Sequence, residues 1–198
     1  MSRQDSSDIR SQPCQEAVGF VIIGRNEGDR LAKCIASVLK VTSLAVYVDS
    51  GSRDGSVALA RRNKLAVVEL DPARPFTAAR ARNAGAVWMM KHFPDLLYLH
   101  FIDGDCELVD GWLPEAIGAL AAEPGLAAVC GRRRERRPDA SPYNRLCDQE
   151  WDTPVGLADT VGGDALFRVE PFHAVKGFTE DLIAGEEPDL CHRIRQEG

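Results

Sequence analysis

Two carboxylates, Asp103 and Asp105, flank Gly104 directly after the apolar run Leu96–Ile102. In extended backbone, side chains two residues apart point to the same side, and the glycine permits a tight bend between them. Paired carboxylate oxygens suit Mg²⁺ or Mn²⁺, with a bound diphosphate and water completing the coordination shell. Asp-Gly is also a common turn dipeptide, so a polar turn without a metal stays open as an alternative.

The apolar run lacks the three- and four-residue spacing of polar positions that marks a surface helix. It predicts a strand buried on both faces of a parallel sheet, and open α/β sheets bind ligands at the carboxyl ends of such strands. Two more polar loops follow predicted strands, Arg25-Asn26-Glu27 and Asp49-Ser50-Gly51-Ser52. We expect the three loops to meet at one edge of the sheet and bind a nucleotide, with Asp49 accepting an N–H of the base.

Predicted strands alternate with predicted helices along the chain. The strands are Val18–Ile23, Ala45–Asp49, Ala66–Leu70, Leu96–Ile102, Leu126–Cys130 and Gly162–Val169. The helices are Asp29–Lys40, Ser56–Asn63, Thr77–His92, Trp112–Ala122, Ser141–Trp151 and Pro188–Gln196. This alternation predicts an α/β fold with a Rossmann-like, mostly parallel central sheet and helices on both faces. No G-x-G-x-x-G follows the first strand and no P-loop motif occurs, which argues against dinucleotide and P-loop sites.

The size, charge and cysteine content of the chain limit the classes of protein to which it can belong. Its 198 residues are enough for one domain with a full core, and a net charge of −6 argues against nucleic-acid binding. No apolar run approaches the roughly 18 residues of a membrane span, and the polar Met1–Gln15 predicts a disordered leader. The six cysteines form no C-x-x-C pair, which disfavours a disulfide framework or zinc site and favours a reducing cytoplasm.

Six segments carry a resemblance to a known family. They are VIIGRNEGDRLAKCIASV, VYVDSGSRDGS, ARNAGA, FIDGDCELVDGWL, GGDALFRVEPFHAVKGF and GEEPDLCHR. In this order and spacing they resemble the family 2 glycosyltransferases, which have the GT-A fold. The resemblance implies one domain over 16–198, with a nucleotide-sugar half to about 110 and an acceptor half after it. It also implies inverting transfer from a UDP- or dTDP-sugar to a hydroxyl of a saccharide or lipid-linked acceptor, with Mn²⁺ or Mg²⁺.

The same resemblance implies roles for individual residues. Those near the donor nucleotide and its phosphates are Arg25, Asn26, Glu27, Asp49, Ser50, Arg82, Asn83, Asp103 and Gly104. Asp103 and Asp105 match the family's D-x-D motif, whose metal bridges to the diphosphate and offsets charge on the leaving nucleoside diphosphate.

Glu187 matches the position of the general base, with Glu186 and Asp189 beside it. A base is needed because a sugar hydroxyl is a poor nucleophile until its proton is removed in the transition state. The like charge of Glu186 would tend to raise the pKa of Glu187. The alternative is that the three carboxylates only form an acidic helix start, which the helix dipole favours.

The sequence departs from the family pattern in four places. Gly24 stands where Pro is usual, which predicts a looser first loop, and Ser50 replaces a second Asp. Glu187 replaces a shorter Asp at the base position. The chain ends at Gly198, where family members usually continue, so it is either a truncated piece or a minimal member. A catalytically impaired sugar-nucleotide-binding domain is therefore an alternative, and a sugar-phosphate nucleotidyltransferase is less favoured because GRNEGDR is a poor phosphate loop.

Two features of the acceptor half have two interpretations each. In one interpretation, the run Arg132–Arg137 binds an anionic group, either an acceptor or the inner face of the membrane. In the other, it is a solvated face that pairs with carboxylates. Trp112 and Trp151 are either packing residues or sugar-stacking residues, and Trp151 is the better candidate for a sugar contact. His100, inside the buried strand, is predicted to be a core residue rather than a ligand.

Overall fold

The computed structural model describes residues 17–198. Its strands are β1 (Val18–Gly24), β2 (Ala45–Asp49), β3 (Ala66–Glu69), β4 (Tyr98–Asp103), β5 (Ala128–Cys130) and β6 (Ala165–Arg168). Its α-helices are α1 (Asp29–Leu39), α2 (Ser56–Arg62), α3 (Ala78–His92), α4 (Trp112–Ala122), α5 (Pro142–Glu150), α6 (Val169–Ala174) and α7 (Glu186–Glu197). A short 3₁₀ helix, Pro138–Ala140, precedes α5.

The six strands form one sheet in the order β3-β2-β1-β4-β6-β5. The first four strands along the chain pair in parallel, whereas β6 runs antiparallel to both β4 and β5. The predicted α/β class with a mostly parallel sheet is therefore confirmed. The reversal of β6 has a local consequence, because the start of this strand lies at the edge where the parallel strands end.

Apolar cores cover both faces of the sheet, as the continuous apolar strands predict. Phe20, Ile22 and Tyr47 face one core, which is closed by side chains of α1 and α4. Val21 and Val48 face the other core, which is closed by α3 and by side chains near the carboxyl end of the chain. Because successive strand residues point to opposite faces, one strand supplies both cores.

Helix α3 lies directly on the sheet and carries two residues of interest for the site. Its amino end is capped by Thr77, whose side chain accepts a hydrogen bond from the backbone N–H of Arg80 at 3.1 Å. Gly85 allows the close approach, since a Cβ at this position would overlap Val21 and lie 3.0 Å from Val48. The helix therefore holds its polar side chains at a fixed height above the strands.

The register of the parallel strands aligns their carboxyl ends. Gly24 pairs with Asp49, and Ile23 pairs with Asp103, so the residues that end β1, β2 and β4 share one edge. In the antiparallel pair, Phe101 lies opposite Ala165. Asp164, which precedes β6, consequently reaches the same edge as Asp103.

Several predicted boundaries differ from the observed ones. The last helix begins at Glu186 rather than Pro188, so Glu187 lies in the first turn and not before the helix. The predicted strand Gly162–Val169 is the shorter β6, and the chain continues from it directly into α6. The predicted leader Met1–Gln15 lies outside the described residues. Within residues 17–198, no helix is long and apolar enough to cross a membrane.

Candidate active site

The loop after β1 is tied to the loop after β2. The backbone N–H of Asn26 donates to Ser52 Oγ at 2.9 Å, and the backbone N–H of Arg53 donates to Asn26 Oδ1 at 2.7 Å. The backbone N–H of Gly28 donates to Asp54 Oδ2 at 2.9 Å. Asn26 has a φ of 58°, a left-handed conformation that asparagine tolerates. These bonds constrain the loop that was expected to be loose because it lacks Pro.

Asp49 organises the second loop from a buried position. Its carboxylate accepts hydrogen bonds from the backbone N–H groups of Gly51 (2.9 Å) and Ser52 (2.7 Å), and from the Tyr47 hydroxyl at 3.0 Å. The residue is only 2% exposed, so most of its accepting capacity is used inside the protein. Ser50 lies beside it and donates its backbone N–H to Gly24 at 3.0 Å. Contact between Asp49 and a nucleotide base stays a prediction.

The remaining first-loop residues lie at the rim. Arg25 is exposed, and its guanidinium lies 5.4 Å from the centre of the Phe76 ring. Glu27 is paired with Arg30 at 2.8 Å. Gly104 follows Asp103 where backbones approach closely, since its N–H donates to the Ile23 carbonyl at 2.7 Å and a Cβ would lie 3.0 Å from the same oxygen.

Asp103 is surrounded by charged groups of both signs. Its Oδ1 accepts a hydrogen bond from Arg82 Nη2 at 3.1 Å, and its Oδ2 lies 3.4 Å from Arg133 Nη2. The same Arg133 nitrogen is 2.6 Å from Asp164 Oδ2. Burial and the negative charge of Asp164 raise the pKa of Asp103 above its ordinary value, and the two guanidinium groups oppose this shift.

Arg82 connects Asp103 to the first turn of α7. Its Nη1 donates to Glu186 Oε1 at 3.0 Å and to Glu187 Oε1 at 3.1 Å. The Arg82 side chain is 3% exposed, and its guanidinium lies 5.5 Å from the centre of the Phe178 ring. We call Arg82, Asp103, Glu186 and Glu187 the Arg82 cluster. It joins the predicted metal-binding aspartate to the predicted base.

Asn83, the neighbour of Arg82, is used to hold the segment before α7. Its side-chain amide donates to the Phe178 carbonyl at 2.8 Å and accepts from the Phe178 backbone N–H at 2.9 Å. Because both ends of the amide bond to one residue, Asn83 fixes the backbone of Phe178, whose ring lies beneath Arg82. Its predicted proximity to the donor phosphates stays untested.

Glu187 and Asp189 occupy different environments in the first turn of α7. Glu187 keeps 18% of its side chain exposed, compared with 8% for Glu186. The Asp189 carboxylate accepts hydrogen bonds from Thr179 Oγ1 at 2.7 Å and from Arg193 Nε at 2.9 Å. These bonds lower the pKa of Asp189, which keeps it ionised and committed to its partners. Of the two base candidates that belong to the Arg82 cluster, Glu187 is the more accessible.

The carboxylates that could hold a divalent cation lie around Asp103. Ligand atoms of Asp103, Cys106 and Asp164 lie within 4.8 Å of one another. Burial and the charge of Asp164 raise the pKa of the Cys106 thiol well above its usual range, so it stays protonated. Since Mg²⁺ and Mn²⁺ prefer hard oxygen ligands, the two aspartates suit these ions better than the thiol. Asp105 lies in the turn after β4, with its carboxylate 3.9 Å from Arg30.

The charge balance of this region also suits a cation. Within residues 17–198, the carboxylates of Asp103, Asp164, Glu186 and Glu187 are connected through ion pairs to two guanidinium groups, those of Arg82 and Arg133. When all four acids are ionised, two negative charges are left over. A divalent cation would balance them.

The run Arg132–Arg137 pairs largely with carboxylates of the chain itself. Arg132 pairs with Asp152 at 2.6 Å, Arg134 pairs with Asp148 at 2.8 Å, and Arg136 pairs with Glu107. This favours the interpretation of a face that pairs with carboxylates, and a membrane contact stays a prediction. Arg133 differs from its neighbours because it turns inward to the aspartates.

Trp112 and Trp151 have different surroundings. The Trp112 indole N–H donates to His100 Nε2 at 2.8 Å, which makes Trp112 a packing residue beside a buried histidine. Trp151 lies against the Arg133 guanidinium, 5.2 Å from the ring centre. Arg133 also pairs with Asp103 and Asp164, so this one arginine lies between Trp151 and the two acids.

Three residues of the site were missed from the sequence, namely Arg133, Gly163 and Asp164. A Cβ on Gly163 would overlap Arg82 Nη2 and lie 3.3 Å from carboxylate oxygens of Asp103 and Glu187. The Gly162-Gly163-Asp164 triplet was the available signal, since a pair of glycines followed by an acid suggests a close approach of backbone to a polar site.

The fold and site define an α/β protein whose acidic groups gather at the carboxyl edge of its sheet, where nucleotide-binding proteins of this class hold their ligands. Residues 20–175 match the family described as Glycosyl transferase family 2. The match extends over most of the chain, and the chain belongs to this family. The recognition made from the six sequence segments is thereby confirmed.

A curated relative and several solved structures are similar to this chain. A TPR repeat-containing protein of Synechococcus elongatus is 28% identical over 215 aligned positions, which cover 89% of this chain and 51% of that protein. The chain therefore spans about half the length of the curated relative that it matches.

The solved structures are of glucosyl-3-phosphoglycerate synthase from Mycobacterium tuberculosis. Its complex with UDP is 21% identical with a TM-score of 0.52, covering 78% of this chain and 57% of that chain. Its complex with Mn²⁺, UDP-glucose and glycerol 3-phosphate is 20% identical with a TM-score of 0.52 and the same coverage, 78% and 57%. At these identities the likeness concerns the fold, and the predicted GT-A arrangement is confirmed.

Proposed function

We propose that this chain transfers a sugar, with inversion, from a nucleoside-diphosphate sugar to an acceptor hydroxyl, in a reaction that depends on a divalent cation. The observation that carries the proposal is the Arg82 cluster. In this cluster, the Arg82 guanidinium donates hydrogen bonds to Asp103, the first acid of the D-x-D motif, and to Glu187, each at 3.1 Å. A donor-binding acid and a candidate base thus stand side by side at the carboxyl edge of the sheet.

The residues present fit a divalent cation. Asp103 and Asp164, whose ligand atoms lie within 4.8 Å of each other, would hold Mn²⁺ or Mg²⁺. Asp105, the second acid of the D-x-D motif, lies outside that group, and we propose it as a further ligand from the motif alone. A bound cation supplies Lewis-acid stabilisation of the charge that develops on the leaving diphosphate. The chain's own contribution is to hold these carboxylates together with Arg133 and Arg82, which limit their mutual repulsion in a partly buried place.

Glu187 is the group that we assign to proton removal. Its Oε1 is fixed by Arg82, and its side chain stays accessible to an acceptor, unlike the more buried Glu186. A carboxylate at this place would take the proton of the attacking hydroxyl as the bond to the sugar forms. Asp189 supports the start of α7 through Thr179 and Arg193 instead.

The donor that we favour carries a uridine or thymidine diphosphate. The similar synthase is described in complexes with UDP and with UDP-glucose, and also with phosphoglyceric acid and with glycerol 3-phosphate. For this chain we retain a saccharide or lipid-linked acceptor, with the cytoplasm or the inner face of a membrane as the location. The cysteines in the described part of the chain are free, which suits a reducing compartment.

The test is incubation of the purified chain with Mn²⁺ and a panel of nucleotide sugars, followed by chromatography of the products. Release of nucleoside diphosphate that requires Mn²⁺ and a carbohydrate acceptor supports the proposal. Turnover that requires pyrophosphate would instead identify a nucleotidyltransferase. Binding without any release would identify a catalytically impaired sugar-nucleotide-binding domain.

A further inference from the structure

We infer that Arg82 is a positioning residue that holds Glu187 and Asp103 in one rigid arrangement, and not a ligand of the donor phosphates. The inference rests on the proposed function, which it deepens by giving Arg82 a different role from the one that the family resemblance implies. It concerns the link between the nucleotide half and the acceptor half of the chain.

The hydrogen bonds of Arg82 leave little capacity for a substrate. Both terminal nitrogens donate to carboxylates of the chain, at 3.0 and 3.1 Å on Nη1 and at 3.1 Å on Nη2. The third nitrogen, Nε, is buried and has no hydrogen-bond partner among the described residues. With 3% of the side chain exposed, the guanidinium lies beneath the surface that a diphosphate would contact.

The surroundings of Arg82 fix its position from two further sides. The Phe178 ring lies 5.5 Å below the guanidinium, and the backbone of Phe178 is held by both ends of the Asn83 amide. Gly163 also lies close to the guanidinium, because even a Cβ there would overlap Nη2. A side chain confined in this way keeps a single rotamer, so its carboxylate partners are held at fixed positions relative to one another.

The consequence for the reaction follows from geometry. Glu187 can act as a base only when its carboxylate stands at a fixed distance from the donor, and the donor is held through Asp103. Arg82 sets that distance, since it is the shared partner of the two acids, which are 84 positions apart in the numbering of the chain. A displacement of about 1 Å between reacting groups can lower a rate by about 10²-fold.

Arg82→Lys tests this role because lysine keeps the positive charge but loses the planar fork that reaches three carboxylates. We expect kcat at saturating donor to fall by about 10²-fold. The Kd for UDP, measured by calorimetry in EDTA, should change by less than about threefold, because Arg82 does not contact the diphosphate. If Arg82 bound the donor phosphates, Arg82→Lys would instead bind UDP more weakly and keep a nearly normal kcat. That result would overturn the inference.

The matched control is Arg80→Lys on the same helix. Arg80 is also buried, but its guanidinium donates to the backbone carbonyls of Asp71, Arg74 and Pro75 rather than to carboxylates. This variant should lose stability without the selective loss of kcat. Where Arg82→Lys does not fold, Gly163→Ala displaces the same guanidinium and carries the kinetic test, with Gly162→Ala as its control.

A second readout does not depend on catalysis. Amide hydrogen exchange of Asp189 and Leu190 reports the stability of the first turn of α7. In Arg82→Lys, exchange there should accelerate by about tenfold or more, while exchange in β2 stays as in the wild type. Unchanged exchange would overturn the inference. If the wild-type chain releases no nucleoside diphosphate from any donor, the proposed function fails and hydrogen exchange alone decides the role of Arg82.

Discussion

The backbone N–H of Asp103 donates a hydrogen bond to the carboxylate of Asp164 at 2.9 Å, although 61 positions separate the two residues. The bond exists because β6 runs antiparallel to β4, so that the residue before β6 lies beside the residue that ends β4. Two acids are thereby brought together at the edge of the sheet. Burial and the charge of Asp164 raise the pKa of Asp103, and Arg133 bridges the two acids at 2.6 and 3.4 Å.

Asp164→Asn should weaken Mn²⁺ binding even in the absence of nucleotide. Asparagine still accepts the hydrogen bond from Asp103, but the negative charge that balances the cation is lost. We expect the Kd for Mn²⁺ to rise by about 10- to 100-fold, measured from the free-ion signal in electron paramagnetic resonance. Asp152→Asn, at an exposed aspartate paired with Arg132, is the control. Equal Mn²⁺ affinity in Asp164→Asn and the wild type would exclude Asp164 from the cation site.

Gly163→Ala should impair the Arg82 cluster, whereas Gly162→Ala should be tolerated. A Cβ at Gly163 overlaps Arg82 Nη2, which can withdraw only by breaking its bond to Asp103, while a Cβ at Gly162 meets nothing within 4 Å. The expected loss of stability for Gly163→Ala is about 1–3 kcal/mol, as for other overpacked sites. Urea denaturation of both variants measures it, and equal midpoints would show that the cluster adapts freely.

Glu187→Gln should abolish transfer and keep donor binding. Glutamine preserves the size of the side chain and one oxygen for Arg82, but it cannot accept the proton of the acceptor hydroxyl. We expect kcat to fall by about 10²- to 10⁴-fold with little change in donor affinity. Asp189→Asn should lower kcat by less than about tenfold, since Asp189 acts through Thr179 and Arg193. A normal kcat in Glu187→Gln would move the base to another residue.

His100 should make folding stability depend on pH below neutrality. Burial lowers the pKa of His100 from 6.5 to about 4, and the neutral ring accepts the Trp112 indole N–H. Between pH 6.5 and about pH 4, His100 is protonated in the unfolded chain but neutral in the folded chain. The free energy of unfolding therefore decreases as the pH falls through this window.

The contribution of His100 is isolated by comparison with His100→Gln, which can accept the same hydrogen bond without titrating. Between pH 7 and pH 4, the wild type should lose about 3 kcal/mol more of its unfolding free energy than the variant. Urea denaturation at both pH values measures this difference. Parallel pH dependences for the two chains would mean that His100 is solvated or is protonated in the folded state.

The sheet was predictable from the sequence because its strands are buried on both faces. Val18–Gly24 and Tyr98–Asp103 are continuous apolar runs bounded by polar loops, and this pattern leaves few alternatives to a parallel strand. The position of the acids at the strand ends followed from the same pattern. Helix α1 was equally clear, because Leu31, Cys34, Ile35 and Val38 form one buried face.

The start of α7 was predicted two residues too late. The sequence predicts a helix over Pro188–Gln196, with proline at the first helical position, where it is common. The structure instead begins the helix at Glu186, after Gly185 with a φ of 84°. Proline is tolerated within the first turn because the N–H that it lacks would have no intrahelical partner there. This shift is what turns Glu186 and Glu187 towards a common partner.

The sequence does not reveal the contacts of Arg133 with the acids, and for Asp164 it offers only the preceding pair of glycines as a signal. Their contacts depend on the antiparallel insertion of β6 between β4 and β5, and sequence patterns do not reveal strand order. Arg133 is one of several neighbouring arginines, and only packing distinguishes it from those that pair at the surface. The contacts of Arg82 with α7 span more than 100 positions and have no local signature.

The most direct test of the account is the affinity of the wild-type chain for UDP, measured by calorimetry in Mn²⁺ and again in EDTA. If the strand-end aspartates hold a cation that bridges to the diphosphate, Mn²⁺ should strengthen UDP binding by about tenfold or more, within the usual range of coupling between two ligands. Asp103→Asn and Asp105→Asn should each remove this difference. Asp110→Asn, at an exposed aspartate that pairs with Lys40, is the control and should keep it. Equal UDP affinity in Mn²⁺ and EDTA for the wild type would contradict a cation-dependent nucleotide-sugar site.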